Sequence, residues 1–299
     1  MNRTALAVLA AAVTGVQVGA AITATRFVAG VISPTSLAFL RYAIGVACLV
    51  PALAMIRRVR FAKRDIAPIA LLGIGQFGVL IALLNYGLQT VPAGRGALIF
   101  AAFPLLTLLF AALVGHERIA ISKLAGILIT LLGVALALGE KLMSGGAADA
   151  ASDWTGELAI LGAAATGAIC SVLYRPYLRR YPTLPVSAFA MAAAAAALLV
   201  PAALDDLFVA PAHLSERAWA AIVFIGLSSG GGYVLWLWAL ANIAATRVTV
   251  FLPLSPVTAA VLGVTLLGEP VTLGMMAGVM CVAAGLWVAN WEKTTVRQR

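Results

Sequence analysis

The chain has 299 residues, 63% of them hydrophobic and only 10% charged, with a formal net charge of +9, whereas about a quarter of the residues in a soluble domain are charged. A mean hydropathy of +1.05 excludes a water-soluble globular domain, and the length accommodates ten spans of roughly 20 residues with short connections. The basic excess would suit nucleic acid only if it gathered on one folded face beside base-stacking aromatics; here the basic residues stand between apolar runs, so no nucleic-acid partner is expected.

In chain order, apolar runs bounded by charge, proline or glycine place spans at residues 4–24, 36–56, 66–86, 95–114, 120–139, 155–174, 186–204, 218–239, 247–267 and 271–291. The first follows Arg3 and, at about 20 residues, exceeds the usual 7 to 15-residue core of a secretory signal, so it reads as span 1. It carries Gln17 near its middle, while span 2 carries Arg41 near its outer end, where snorkelling to the interface is favoured over substrate contact. Span 3 contains GIGQFG, Gly73 to Gly78, with Gln76 inside it; span 8 contains GLSSGG, Gly226 to Gly231, followed by Gly232. Glycine costs helix stability, yet small residues let membrane helices approach closely, so packing and hinge readings both stand; Gly78 and Gly230 are the hinge candidates.

Spans 4 and 9 contain Pro104 and Pro256, each removing a backbone hydrogen bond and favouring a kink. Because the two are in register across the repeat described below, gating is favoured slightly over a static bend. Aromatic residues concentrate in span 8 as Tyr233, Trp236 and Trp238, with Phe251 and Ser255 on span 9 and Phe100 and Phe103 on span 4. Ser229, Tyr233 and Trp236 share one helix face, which suits a cavity lining, although Trp236 and Trp238 also fit an interfacial belt. For Trp154, Trp219, Trp287 and Trp291 the belt is the preferred reading.

With the N-terminus inside, fifteen basic residues fall in cytoplasmic segments: Arg3, Arg57, Arg58, Arg60, Lys63, Arg64, Arg118, Lys123, Arg175, Arg179, Arg180, Arg247, Lys293, Arg297 and Arg299. Only Arg26, Arg95, Lys141 and Arg217 fall outside. The positive-inside rule therefore places both termini in the cytoplasm. A shift of 152 residues superposes Leu88, Ala93, Arg95, Pro104, Glu117, Gly126, Gly133, Glu140 and Lys141 on Leu240, Ala245, Arg247, Pro256, Glu269, Gly278, Gly285, Glu292 and Lys293. Gln76 and Ser228 match in the same frame. Since each copy has five spans, an odd number, the second enters the bilayer from the opposite side, the inverted topology transporters use around a midplane site.

The order Ala93, Arg95, Pro104, Glu117, then glycines at helical spacing, repeated from Ala245 to Gly285, resembles the EamA-type repeat of the drug/metabolite transporter superfamily. Within it the chain is most similar to YddG-type amino-acid exporters. The resemblance implies export of amino acids and related metabolites through a central cavity formed mainly by spans 1, 3, 4, 6, 8 and 9.

The expectation is an all-α membrane protein of ten transmembrane helices, two inverted five-helix repeats around a central cavity, multi-pass in a bacterial-type inner membrane. Residues 1–141 form the first repeat, 142–154 a periplasmic linker, 155–293 the second repeat and 294–299 a cytoplasmic tail. The expected cavity set is Gln17, Gln76, Phe100, Phe103, Ser228, Ser229, Tyr233, Trp236, Phe251 and Ser255, with Gly78, Pro104, Gly230 and Pro256 as gating positions. No acidic or basic residue lies near the centre of a span, so a largely neutral cavity is expected, selecting neutral or zwitterionic amphiphiles. Arg95 and Arg247 read as anchoring or steering, Glu117 and Glu269 as a structural pair or helix-end groups. The cysteines, Cys48, Cys170 and Cys281, sit in separate apolar runs without metal-ligand spacing. With no hydrolase, Walker or redox motif present, neither an enzyme nor a cofactor is expected. A sugar-phosphate or nucleotide-sugar exchanger of the same superfamily and a non-transporting scaffold are the alternatives.

Overall fold

The computed structural model describes residues 3–55, 59–113, 125–126, 128–136, 154–242, 251 and 254–291. α1 (Arg3–Val28) contains no proline and runs without interruption. α2 (Pro34–Ala54) begins where the sequence supplies both start signals: Ser33 accepts from the Ser36 amide at 3.2 Å and proline occupies the first turn. Ser33 also donates through its amide (2.8 Å) and hydroxyl (2.6 Å) to Asp206, tying the start of α2 to the loop that follows the helix Thr183–Leu204.

α3 (Lys63–Gly73) and α4 (Leu80–Gly87) form one rod joined by a π-helical turn at Ile74–Val79, where the Leu80 amide reaches back to the Gly75 carbonyl. This widened turn coincides with GIGQFG and holds Gln76. The proline kink expected in span 4 is a break: α5 (Ala93–Phe100) ends in tight turns at Ala101 and Ala102, and α6 (Phe103–Leu113) starts afresh. Pro104 thus stands in a first helical turn, where its missing amide costs nothing. Pro256 is likewise in the first turn of α11 (Leu254–Leu267). The remaining helices are α7 (Thr155–Arg180), α8 (Thr183–Leu204), the short α9 (Ala210–His213), α10 (Glu216–Asn242) and α12 (Leu273–Trp291). Residues 128–136 are also helical, and no strand occurs among the described residues.

Among the described residues six helices are long and apolar enough to cross a membrane, and residues 93–107, 254–267 and 273–285 form shorter apolar ones. Large side chains such as Leu71, Leu158, Leu173, Leu227 and Val261 are exposed along them, as contact with lipid requires. The chain is an all-helical, multi-pass membrane protein.

Packing pairs helices across the sequence. α1 packs on α10 and α11, while α7 packs on α3–α4 and on α5–α6; α2 packs on α10, while α8 packs on α3 and the π turn. α2 also packs on α8, and α5 on α11. Each of these contacts has its mate when the two halves of the chain are exchanged.

Glycine sets the closest approaches. A Cβ on Gly230 would lie 2.7 Å from the Gly45 carbonyl oxygen, and one on Gly226 2.5 Å from Ile44 Cβ, so α10 lies directly against α2. A Cβ on Gly73 would lie 2.6 Å from Ala190 Cα, which joins α3 to α8, and one on Gly19 2.7 Å from Thr258 Cβ, which joins α1 to α11. Gly231 has nothing within 4 Å of such an atom. Gly73→Val must therefore force α3 and α8 apart and lower stability by about 1–3 kcal/mol, whereas Gly231→Ala is neutral or stabilising by up to about 1 kcal/mol. Thermal unfolding of the purified variants in detergent separates the two; equal midpoints would remove close packing as the role of Gly73.

Candidate functional site

Between the helices lies a cavity of about 460 Å³. α10 lines it with Ser228, Ser229, Gly232, Tyr233 and Trp236, residues that recur at helical spacing along one side. α1 faces them with Thr14 and Gln17. The Gln17 amide nitrogen donates to both the backbone carbonyl and the hydroxyl of Ser228, the latter at 2.6 Å. Gly232 makes the room, since a Cβ there would lie 2.6 Å from Gln17 Cδ.

The π turn contributes Gln76 and Phe77. Phe77 meets Tyr42 and Tyr233 edge-on, with ring centroids 5.4 and 6.1 Å apart, and Phe100 stacks on Phe103 at 5.7 Å. Ser171 and Tyr174 of α7, Ser187 of α8, and Ser255 and Pro256 of α11 complete much of the lining. Two buried polar atoms in this wall, Gln76 Oε1 and Tyr174 Oη, have no hydrogen-bond partner among the described residues. Orphaned groups of this kind are costly unless something fills the cavity beside them.

The structure gathers every residue expected to line a cavity except Phe251, which packs with Trp236 against Ala10, Ala11 and Ala239. Among the gating candidates, Gly78 is buried within the π turn with ordinary contacts, Gly230 is a close-packing contact with Gly45, and Pro256 lines the cavity. To the spans that the resemblance implied, the structure adds α2 and α8, through Arg41, Tyr42, Val186, Ser187 and Met191.

Arg41 requires a correction. It does not snorkel to an interface: it lines the cavity, its Nε donating to Ser229 Oγ at 2.6 Å and its guanidinium carbon 5.9 Å from the centre of the Tyr42 ring. The cavity therefore contains a formal positive charge. The physical reason is the glycine contact one turn away, where Gly45, Gly226 and Gly230 bring α2 close enough to α10 for Ser229 to accept from Arg41. The available signal was depth: seven residues past Pro34 is about 10 Å along a helix, too far inside for an end residue.

Toward the ends of α1 and α4, the helices are joined by polar contacts. Both Glu269 carboxylate oxygens accept from the Ala93 amide at 2.9 Å, capping α5, and Arg26 lies 3.7 Å from Glu269. Arg26 donates to the carbonyls of Leu88 (2.8 Å) and Gln89, and Gln89 to that of Ala29 at 3.1 Å. Arg95 pairs with Glu157 at 3.5 Å. Gly268, with φ of 66°, provides the left-handed turn that aims Glu269 back at α5. Glu269 is thus a helix-end group, and Arg95 joins α5 to α7; Glu117 and Arg247 lie outside the described residues.

A sequence profile described as the EamA-like transporter family matches residues 5–139 and, a second time, 154–291. The chain belongs to the EamA-like transporter family. Among its EamA-like relatives, a probable terminal-alkyne amino-acid exporter of Streptantibioticus cattleyicolor is 32% identical over 82% of this chain and 78% of that protein. An uncharacterized transporter of Archaeoglobus fulgidus is 27% identical over 90% and 93%, and a probable amino-acid metabolite efflux pump of Salmonella typhimurium 25% identical over 76% and 79%. A solved crystal structure at 24% identity has the same fold, with a TM-score of 0.68 over 95% of this chain and 96% of the other.

Replacing Glu269 by alanine strips the Ala93 amide of its acceptor and Arg26 of its carboxylate. The expected loss is about 1–3 kcal/mol of stability, with Glu269→Gln in between because one neutral acceptor remains. Thermal midpoints of the two variants in detergent decide it; alanine and parent melting together would exclude the cap.

Proposed function

We propose that the protein is a secondary transporter that exports amino acids, aromatic and apolar ones included, and related small metabolites across the inner membrane by alternating access. The observation that carries the reading is the cavity itself, in which amide, hydroxyl and aromatic side chains from both halves of the chain meet around one space. Such a lining suits an amphiphile whose apolar body meets rings and whose polar end meets hydrogen-bonding groups. The printed descriptions of two relatives, an amino-acid exporter and an amino-acid metabolite efflux pump, point the same way.

The architecture behind it is two inverted five-helix repeats, residues 1–141 and 155–293, joined by a periplasmic linker at 142–154 and followed by a cytoplasmic tail at 294–299. Its supports are the paired helix contacts, the 152-residue sequence register and the basic bias of one set of loops. Gln17, Gln76, Phe100, Phe103, Ser228, Ser229, Tyr233, Trp236 and Ser255 take the substrate. The break preceding Pro104 lets half-helices swing on one side of it, with Pro256 and Gly78 as further hinge positions. Among the described residues Arg41 is the one cation lining the cavity, which weighs against sugar phosphates, whose dianions call for more.

Counterflow in proteoliposomes against a panel of amino acids, dipeptides, drugs and nucleotide sugars tests the function. Neutral amino acids should exchange, and Trp236→Ala should reduce exchange of bulky apolar ones most. Preference for phosphorylated sugars over every amino acid would overturn the assignment.

The topology has its own test, in a background with Cys48, Cys170 and Cys281 replaced by serine. A cysteine at position 60 should label only from the cytoplasm and one at position 149 only from the periplasm. The reverse pattern would refute the orientation.

A further inference from the structure

We propose that Arg41, held by Ser229, is the carboxylate-binding residue of the cavity, and that the site selects compounds for their carboxylate and not for their amine. The proposal rests on the exporter reading and deepens it: the substrate class becomes monocarboxylates with an apolar body, amino acids among them.

The geometry begins at Ser229. Its hydroxyl donates to the Ile225 carbonyl at 2.8 Å, which spends its proton and leaves the oxygen to accept from Arg41 Nε at 2.6 Å. That bond fixes the guanidinium by its inner nitrogen. Among the described residues, the two outer nitrogens have no protein acceptor and no aspartate or glutamate lines the cavity. A guanidinium inside a membrane protein is costly without an anion beside it. Its two outer nitrogens form the planar fork that matches the two oxygens of a carboxylate. The charge that the protein does not supply is thus one that the substrate can bring.

The ammonium end of an amino acid finds a different environment. Among the described residues no acidic side chain is in the lining, so it meets neutral acceptors there, of which Gln76 Oε1 and Tyr174 Oη are the unpartnered ones. The Arg41 guanidinium in the same cavity repels the ammonium and offsets much of what those acceptors give, whereas it pairs with the carboxylate, so removing the amine should matter little and removing the carboxylate a great deal. The aromatic walls, Phe77, Phe100, Phe103 and Trp236, accept the body in either case.

The test uses the purified full-length protein in detergent and three probes of one shape: phenylalanine, 3-phenylpropionate, which lacks the amine, and phenethylamine, which lacks the carboxylate. Calorimetric titration should show the first two binding with similar affinity and phenethylamine at least about tenfold more weakly. Arg41→Gln should lose about tenfold or more for both carboxylates and bind phenethylamine, itself a cation, no more weakly than the parent does, with Arg41→Lys in between for the carboxylates. Ser229→Ala, a smaller change, should weaken the carboxylates in the same order, so the proposal remains testable should Arg41→Gln fold poorly. Phenethylamine binding as well as 3-phenylpropionate, carboxylates binding alike to parent and a folded Arg41→Gln, or none of the three binding to the parent would each overturn it. Phenylalanine counterflow separates this from the function: exchange that persists unchanged in Arg41→Gln sinks the carboxylate site and leaves the exporter. Arg41-dependent binding of 3-phenylpropionate with no exchange of any amino acid sinks the exporter and leaves the site.

Discussion

Lipid gives one apolar helix no reason to prefer another over the acyl chains, so helices in a membrane associate where their shapes allow backbone to approach backbone. In this protein that constraint is met at glycine. Gly45, Gly226 and Gly230 seat α2 on α10, Gly73 seats α3 on the Ala190 backbone of α8, and Gly19 seats α1 on α11. Of the helices joined this way, α1, α2, α8, α10 and α11 line the cavity. A side chain at any of these contacts would widen the bundle and move the cavity walls, and the walls hold their polar groups only because the spacing is fixed: Gln17 reaches Ser228 across the gap that Gly232 leaves open, and Arg41 reaches Ser229 one turn from Gly45.

The same low-dielectric surroundings sort the polar groups into two kinds. Gln17 and Ser228 satisfy each other, and the hydroxyls of Thr14, Thr107, Thr166 and Ser187 donate to carbonyls four residues back on their own helices, so these need no ligand. Among the described residues, Gln76 Oε1 and Tyr174 Oη stay unmatched in the wall, and Arg41 has no counter-charge there. What is left over after self-satisfaction marks where a solute belongs more sharply than the roster of polar residues does.

Hydropathy made the helices legible because the bilayer demands long apolar runs, and the glycine and proline register made the repeat legible because packing and backbone chemistry act alike in both copies. Most of the cavity lining was readable for a related reason: a glutamine or serine in the middle of an apolar helix needs a partner or a space, and Gln17, Gln76 and Ser229 found one or the other. Arg41 was misplaced because a long cation near a span end has two destinations, outward to water or inward to a partner, and the partner is Ser229, 188 residues away. Phe251 was misplaced because an aromatic ring carries no sign of which face of its helix it will cover. The π turn at Ile74–Val79 has no composition of its own beyond the glycines that permit it.

The cap on α5 has a consequence for how the chain is made. Ala93 leaves the ribosome with its amide bare, and the carboxylate that satisfies it, Glu269, is 176 residues downstream. Gln17 waits still longer for Ser228, across 211 residues. A helix inserted early therefore sits in the bilayer with unmet polar groups until nearly the whole protein has been translated, and the early helices find their final neighbours chiefly among the late ones. A first half made without the second would lack the partners that α1, α2, α4 and α5 have in α7, α8, α10 and α11, and among the described residues would keep only the smaller contacts of α2 with α4 and of α1 with α5.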